Sequence, residues 1–122
     1  MSQFDQLSVI LPTLNEKKNL EYLIPQIIEV LKSETIFDHE IVVVDDGSTD
    51  GTSELIDSLK NKDFNICFIE NKPPLNLPLS INKGIENSKF KYVMWLDADG
   101  SMGSNAVLKM IKERSEEHTS EL

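Results

Sequence analysis

Two apolar runs that end in carboxylates constrain the fold of this chain more than any other feature. Residues 41–44 (IVVV) lead into Asp45 and Asp46, and residues 92–96 (YVMWL) lead into Asp97-Ala98-Asp99. Such runs are typical of central strands in a parallel sheet, whose carboxyl ends open into a binding site. Two carboxylates about 5 Å apart repel each other by roughly 3 kcal/mol at an effective dielectric of about 20. The pattern therefore predicts a hard divalent cation, with the phosphates that such a cation usually carries.

Strand-like and helix-like patterns alternate along the rest of the sequence. Further strands are expected at residues 7–11, where Pro12 ends the apolar run, and at about 66–69. An apolar stripe with helical spacing follows the first strand, and Pro25 within it indicates a kink or a late helix start. The stripe consists of Leu20, Leu23, Ile24, Ile27, Ile28 and Leu31. This order of elements predicts a doubly wound α/β fold with a mostly parallel sheet.

Local chemistry indicates the remaining turns and helices. Thr49 or Asp50 is expected to cap the second helix. Residues 71–79 contain three prolines and should form a loop before a short third helix, and a last helix should begin after Ser104. The apolar residues expected on these three helices are Leu55, Ile56 and Leu59, then Ile81 and Ile85, then Val107, Leu108 and Ile111. Trp95, within an apolar strand, is expected in the core.

Composition and charge exclude several classes of protein. With 122 residues and a hydrophobic content of 39%, the chain has the size of one globular domain. Its net charge of −9 argues against a nucleic-acid partner. Cys67 is the lone cysteine, so no disulfide can form within the chain, and a buried thiol is expected. Neither a signal peptide nor an apolar stretch of about 20 residues is recognisable, which makes a cytoplasmic location the expectation.

Residues 114–122 (RSEEHTSEL) differ in character from the rest of the chain. They resemble the in-frame translation of a common sequencing-library adapter. We therefore expect that native sequence ends near Glu113, that the natural protein continues beyond it, and that His118 is neither a ligand nor a base.

Three loop segments should meet at the carboxyl edge of the sheet. They are residues 12–16 (PTLNE), 45–48 (DDGS) and 97–101 (DADGS). The two aspartates of the last segment are two residues apart, so on an extended chain they point the same way and can share one metal ion. One or two carboxylates completed by substrate phosphates is the usual arrangement for Mg2+ or Mn2+. The carboxylates of the middle segment could instead accept hydrogen bonds from a base or a ribose.

The order and spacing of these motifs resemble the inverting glycosyltransferase family 2, and within it most closely the polyprenyl- or dolichyl-phosphate sugar synthases. The motifs are residues 12–16, 42–52 (VVVDDGSTDGT) and 96–101 (LDADGS), and the resemblance covers about residues 7–113. It implies a Rossmann-like nucleotide-diphospho-sugar transferase fold of the GT-A type. It also implies that residues 1–113 are the nucleotide-sugar-binding half of a truncated domain.

The resemblance further implies roles for individual residues. The positions that match nucleotide-binding residues of the family are Pro12, Leu14, Glu16, Val44, Asp46, Asp97 and Ala98. The positions that match its metal-binding segment are Asp97, Asp99 and Ser101, with Asp99 the first choice of ligand. Leu14 stands where relatives often have an aromatic residue, and Ser101 where they often have a glutamine. The catalytic residue is unknown, because an acceptor-side base, if the reaction needs one, would lie beyond this chain.

The implied reaction is the metal-dependent transfer of a sugar, with inversion, from a nucleotide-diphosphate sugar to an acceptor. The cofactor would be Mg2+ or Mn2+, and the acceptor a lipid phosphate such as a polyprenyl phosphate, or a glycan. The chain alone is expected to be inactive, and membrane association would come only through a C-terminal part beyond it.

Two other classes of protein share part of the pattern. A phosphoacceptor receiver domain, a signalling module, also has an acidic pair after one strand and an aspartate after a later one. Here a strand at residues 7–11 precedes the pair, and no strand-ending lysine follows at the expected distance. A nucleotidyltransferase usually carries a basic, glycine-rich loop after the first strand, and residues 12–16 are neither. Residues 45–48 could also form only a turn and a helix cap.

Overall fold

Four parallel strands form one sheet in the order β3-β2-β1-β4. The computed structural model describes residues 5–72, 74–100 and 103–120. The strands are β1 (Gln6–Thr13), β2 (Asp38–Asp45), β3 (Ile66–Glu70) and β4 (Val93–Trp95). Helices α1 (Lys17–Ser33), α2 (Thr52–Lys60), α3 (Leu77–Glu86) and α4 (Asn105–Ser120) alternate with them. The predicted α/β class with a parallel sheet is confirmed.

Helices cover both faces of the sheet, as a doubly wound fold requires. On one face, alternate residues of β1 such as Val9 and Leu11 pack with apolar residues of α1, α2 and α4. On the other face, Ile10, Val42 and Val44 form a second cluster, and α3 packs closely there. Neighbouring residues of a strand point to opposite faces, and both faces of this sheet are covered. Its central strands therefore appear in the sequence as continuous apolar runs.

Helix α1 buries every residue of the stripe that the sequence predicts. It begins at Lys17, so the late start suggested by Pro25 is wrong: the proline lies within the helix. Proline removes one main-chain hydrogen bond from a helix interior. Packing of the apolar face outweighs that loss here, since tertiary contacts supply most of the stability of protein helices.

Pro12 does not end β1, which continues to Thr13. The Leu96 N–H donates to the Ile10 carbonyl. The N–H and C=O groups of even-numbered β1 residues therefore point toward β4. Strand β4 pairs with β1 only as far as Ile10 and Trp95, so the backbone nitrogen of Pro12 has no ladder partner on the side of β4. A proline without a hydrogen bond to lose is tolerated in a strand.

Helix α3 begins at Leu77, within the segment that the prolines led us to expect as a loop. The side chain of Asn76 accepts from the Leu79 N–H at 3.0 Å and caps the helix. Pro78 lies in the first turn, where a missing N–H costs nothing.

Strand β4 is shorter than the expected residues 92–96, and it lies at an edge of the sheet. Trp95 is therefore 40% exposed, and its assignment to the core is wrong. Ile85 of α3 is also exposed, and Cys67 on the opposite edge strand is only half-buried. In α4, Val107 and Ile111 are buried as expected, whereas Leu108 is half-buried.

None of the helices in the described part of the chain is long and apolar enough to cross a membrane. The backbone of α4 runs on to Ser120, into the segment that resembles an adapter translation; the origin of that segment stays a prediction.

Candidate functional site

The loops that follow β1, β2 and β4 lie at the carboxyl edge of the sheet, as expected for parallel strands. The first and last of these loops come close together. The side-chain amide of Asn19 donates to Glu16 Oε2 at 2.6 Å. A Cβ added to Gly100 would lie 3.7 Å from Asn19 Oδ1. The Asp-x-Asp segment is therefore adjacent to the residues that begin α1.

Asp45 and Asp46, of which the resemblance assigns only Asp46 to nucleotide binding, have different environments. Asp45 is 3% exposed, and its carboxylate accepts the Ser48 N–H at 3.0 Å and the Ser48 hydroxyl. Both oxygens are thus used within the turn that follows β2. Asp45 holds that turn in place and is not available to a ligand.

Asp46 faces a shallow pocket at the edge of the sheet. Its N–H donates to the Thr13 carbonyl at 2.9 Å, and its Oδ1 accepts the Leu75 N–H at 2.5 Å. The pocket has a volume of about 180 Å³. It is lined by Pro12, Thr13, Leu14, Asp46, Leu77 and Ser80. Three residues assigned to nucleotide binding from the sequence therefore meet in one place.

Two residues of this lining were missed by the sequence analysis. Leu77 and Ser80 belong to the first turns of α3, which brings them against the loop after β1. The signal was present in Asn76 and Pro78, because asparagine at a cap and proline in the first turn together indicate a helix start.

Other predicted site residues lie outside the pocket. Val44 is fully buried between strands, and Ala98 is 3% exposed and belongs to the main core. Glu16 and Asp97 are half-buried, and Asp99 is exposed in the turn after β4. The sequence also assigned Ser101, which lies outside the described residues. The structure thus separates a pocket beside β1 and β2 from an acidic turn after β4.

The acidic turn can supply part of a metal site. In the residues that the structure describes, no group of three or more His, Cys, Asp or Glu side chains could hold a metal ion. Asp97 and Asp99 would therefore offer two carboxylates at most. That donor set fits a cation such as Mg2+ or Mn2+, which commonly takes one or two carboxylates and completes its shell with phosphate and water.

Asp50 ties the beginnings of two helices together near this edge. Its carboxylate accepts the Lys17 N–H at 3.0 Å, the Thr52 N–H at 3.2 Å and the Thr52 hydroxyl at 2.6 Å. Desolvation raises the pKa of the Asp50 carboxyl. Hydrogen bonds from Thr52 and Lys17 together lower it by more, so the net pKa lies below its usual value. The predicted cap of α2 is thus partly right: Asp50 bonds Thr52, and Gly51 occupies the cap position itself.

Comparison with known proteins gives the family. A profile described as "Glycosyl transferase family 2" matches residues 8–120. A poly-beta-1,6-N-acetyl-D-glucosamine synthase from Staphylococcus epidermidis is 32% identical over 113 residues, which cover 91% of this chain and 26% of that protein. A dolichyl-phosphate beta-glucosyltransferase from Dictyostelium discoideum is 35% identical over 101 residues, which cover 78% and 31% of the two chains. The chain thus spans about a quarter to a third of the length of these relatives.

A solved structure supports the same assignment. A mannosyltransferase from Pyrobaculum calidifontis, in complex with GDP-Man and Mn2+, superposes with a TM-score of 0.66 at 27% identity. The match covers 77% of this chain and 27% of that one. The expected GT-A type of fold is therefore confirmed, and the receiver-domain alternative loses its support. The chain belongs to glycosyl transferase family 2.

Proposed function

We propose that this chain binds a nucleotide-diphosphate sugar and forms the donor side of an enzyme that transfers the sugar to an acceptor. The observation that carries the proposal is the meeting of Pro12, Leu14 and Asp46 in one pocket at the carboxyl edge of the sheet. Apolar side chains beside one half-buried carboxylate suit a nucleoside, which has a flat ring and polar edges. The solved relative with bound GDP-Man supports a donor of this class.

We further propose that Asp97 and Asp99 hold a divalent metal ion together with the donor's phosphates. When bound, such an ion would neutralise the charge that develops on the departing nucleoside diphosphate. Ser101 is a third candidate ligand by its position in the sequence. The remaining roles fall to the chain itself: the pocket would hold the nucleoside, and the carboxylates of Asp97 and Asp99 would hold the metal ion at the diphosphate.

Inversion, the acceptor and the location in the cell belong to the same proposal. The relatives include an enzyme named for dolichyl phosphate and one named for a glucosamine polymer, so a lipid phosphate and a glycan are both candidate acceptors. A lipid phosphate is already ionised and would need no base, whereas a sugar hydroxyl would need a carboxylate base. We assign residues 1–113 to the donor side of the enzyme only. Catalysis would also require an acceptor side, which residues 1–113 do not supply. We propose a cytoplasmic location for the protein.

The proposal is tested by calorimetric titration of UDP and GDP into the protein with and without Mn2+. We expect binding of one of them that depends on Mn2+ and falls about tenfold or more in Asp99→Asn. Asp57→Asn, on the exposed face of α2, is the matched control and should bind as wild type does. Equal affinities of Asp99→Asn and wild type would refute the metal assignment. Absence of binding of both UDP and GDP would refute the proposed donor site.

A further inference from the structure

Asn19 lies between two parts of the candidate site. It stands in the first turn of α1, and its side-chain nitrogen, Nδ2, donates to Glu16 Oε2 at 2.6 Å. On its other side, a Cβ added to Gly100 would lie 3.7 Å from Asn19 Oδ1 and 3.8 Å from Asn19 Cγ. Glu16 belongs to the loop after β1, and Gly100 to the turn that carries Asp97 and Asp99. One amide group is therefore adjacent to both loops.

The direction of this amide follows from its partner. An ionised carboxylate only accepts hydrogen bonds, so the amide nitrogen must face Glu16 and the amide oxygen must face away from it, toward Gly100. A hydrogen bond to an ionised group is roughly twice as strong as one between neutral groups. The contact therefore favours one direction of the Glu16 carboxylate.

Glu16 can take this direction because it does not cap its helix. It occupies the cap position of α1, where a carboxylate usually accepts a main-chain N–H of the first turn. Its side chain makes no such bond to the first turn, which lies within the described residues. The carboxylate of Asp50 accepts the Lys17 N–H there instead, at 3.0 Å. The Glu16 carboxylate is thus left to the site, and Asn19 directs it.

The backbone of Gly100 brings the acidic turn against Asn19. Gly100 has a φ of +80°, in the left-handed region that residues with a side chain seldom adopt. The turn therefore approaches α1 with no side chain of Gly100 in between. Asp99 directly precedes Gly100, so the place where this turn rests on Asn19 also sets the position of the Asp99 backbone.

We propose that Asn19 is a positioning residue for the transfer reaction, which orients Glu16 toward the donor nucleotide and supports the turn that presents Asp99 to the metal ion. The inference rests on the proposed function and adds a physical link between its nucleotide side and its metal side. Asn19 itself touches neither ligand. A change at Asn19 should therefore weaken both kinds of binding, because each site is held through the same side chain.

Calorimetric titration of the full chain tests both sides of this link. In Asn19→Leu, which is close in size, the affinity for the preferred nucleotide, UDP or GDP, should fall about fivefold or more in the presence of Mn2+. The affinity for Mn2+ in the presence of pyrophosphate, which lacks base and ribose, reports the metal side alone and should also fall. Asn61→Leu, exposed at the far end of α2, is the matched control and should bind as wild type does.

A second variant, Asn19→Asp, separates orientation of Glu16 from a general effect on the fold. It places two carboxylates side by side, and such a pair shares a proton, so the apparent pKa of the pair is raised. At about pH 5 the shared proton restores a donor between the two side chains, and nucleotide affinity should approach that of wild type. At about pH 8 the two charges repel, and affinity should fall about fivefold or more below wild type at the same pH. A merely structural role would not give this pH dependence.

The outcomes separate the two proposals. If wild type binds UDP or GDP and both Asn19 variants bind as wild type does at each pH, positioning by Asn19 is wrong and the proposed function stands. A loss in Asn19→Leu without pH dependence in Asn19→Asp would show that the hydrogen bond to Glu16 is not the cause, and it too would overturn the inference. If wild type binds no nucleoside diphosphate, both proposals are wrong.

Discussion

The backbone N–H of Asn15 donates to the hydroxyl oxygen of Ser48 at 2.8 Å, which joins the loops that follow β1 and β2. The side chain of Asn15 completes the connection by accepting the Thr49 N–H at 2.8 Å. Asn15 has a φ of +54°, in the left-handed region that asparagine tolerates better than most residues. The Ser48 hydroxyl in turn donates to Asp45. The two loops beside the pocket thus form one hydrogen-bonded unit.

Ser48→Ala should weaken this unit. The substitution removes the acceptor of the Asn15 N–H and one of the two donors to the buried carboxylate of Asp45. We expect the free energy of unfolding, measured by urea denaturation, to fall by about 2 kcal/mol. Ser58→Ala, on the exposed face of α2, is the control and should stay within about 0.5 kcal/mol of wild type. A Ser48→Ala protein as stable as its control would contradict the structural role given to Ser48.

Gly84 allows α3 to approach β1, and Gly84→Ala should prevent this approach. An added Cβ would lie 2.6 Å from Ile10 Cγ2, closer than two carbons can pack. Overpacking of this kind costs about 1–3 kcal/mol, although alanine in a helix recovers roughly 1 kcal/mol relative to glycine. We therefore expect a net loss of about 1 kcal/mol in urea denaturation, with Lys83→Ala, exposed on the same helix, near wild type.

A double-mutant cycle tests the cause of that loss. In an Ile10→Ala background the clashing side-chain atoms are gone, so Gly84→Ala should become neutral or stabilising. The two effects should therefore differ from additivity by about 1 kcal/mol or more. Additive effects would show that the close contact with Ile10 does not limit the position of α3.

The sequence predicts those parts of the fold that leave a periodic pattern of apolar residues. Burial of the α1 stripe follows directly from its helical spacing. The structural role of Asp45 could not be predicted from periodicity, because adjacent strand residues face opposite sides and the following loop decides which carboxylate it encloses. The assignment of Asp46 alone to nucleotide binding comes from the family resemblance. Leu77 and Ser80 were missed because prolines were interpreted only as helix breakers, whereas Pro78 stands in a first turn.

Asp50→Asn should change the dependence of stability on pH. Hydrogen bonds in the folded state, opposed by desolvation, leave the pKa of the Asp50 carboxyl below its usual value. A group whose pKa is lower in the folded state stabilises the fold above its unfolded pKa, and this contribution disappears as the pH falls through the folded pKa. The stability advantage of wild type over Asp50→Asn should therefore be present at neutral pH and shrink below about pH 4.

Urea denaturation of both proteins across the acid range measures this difference. Asp57→Asn, which removes a carboxylate from the exposed face of α2, controls for the change in net charge. A gap between wild type and Asp50→Asn that stays constant or widens toward low pH would contradict the assignment.

Leu14→Tyr should strengthen nucleotide binding by the pocket. Leu14 is 52% exposed and lines the pocket beside Pro12 and Asp46. An aromatic ring at this position can stack on a base, and stacking contributes about 1–3 kcal/mol per base. We expect the affinity for the preferred nucleoside diphosphate to rise about fivefold or more in calorimetric titration, while the affinity for pyrophosphate stays unchanged. Leu79→Tyr, 49% exposed on α3 and outside the pocket lining, is the matched control. If Leu14→Tyr and Leu79→Tyr bind equally well, the base does not lie over Leu14.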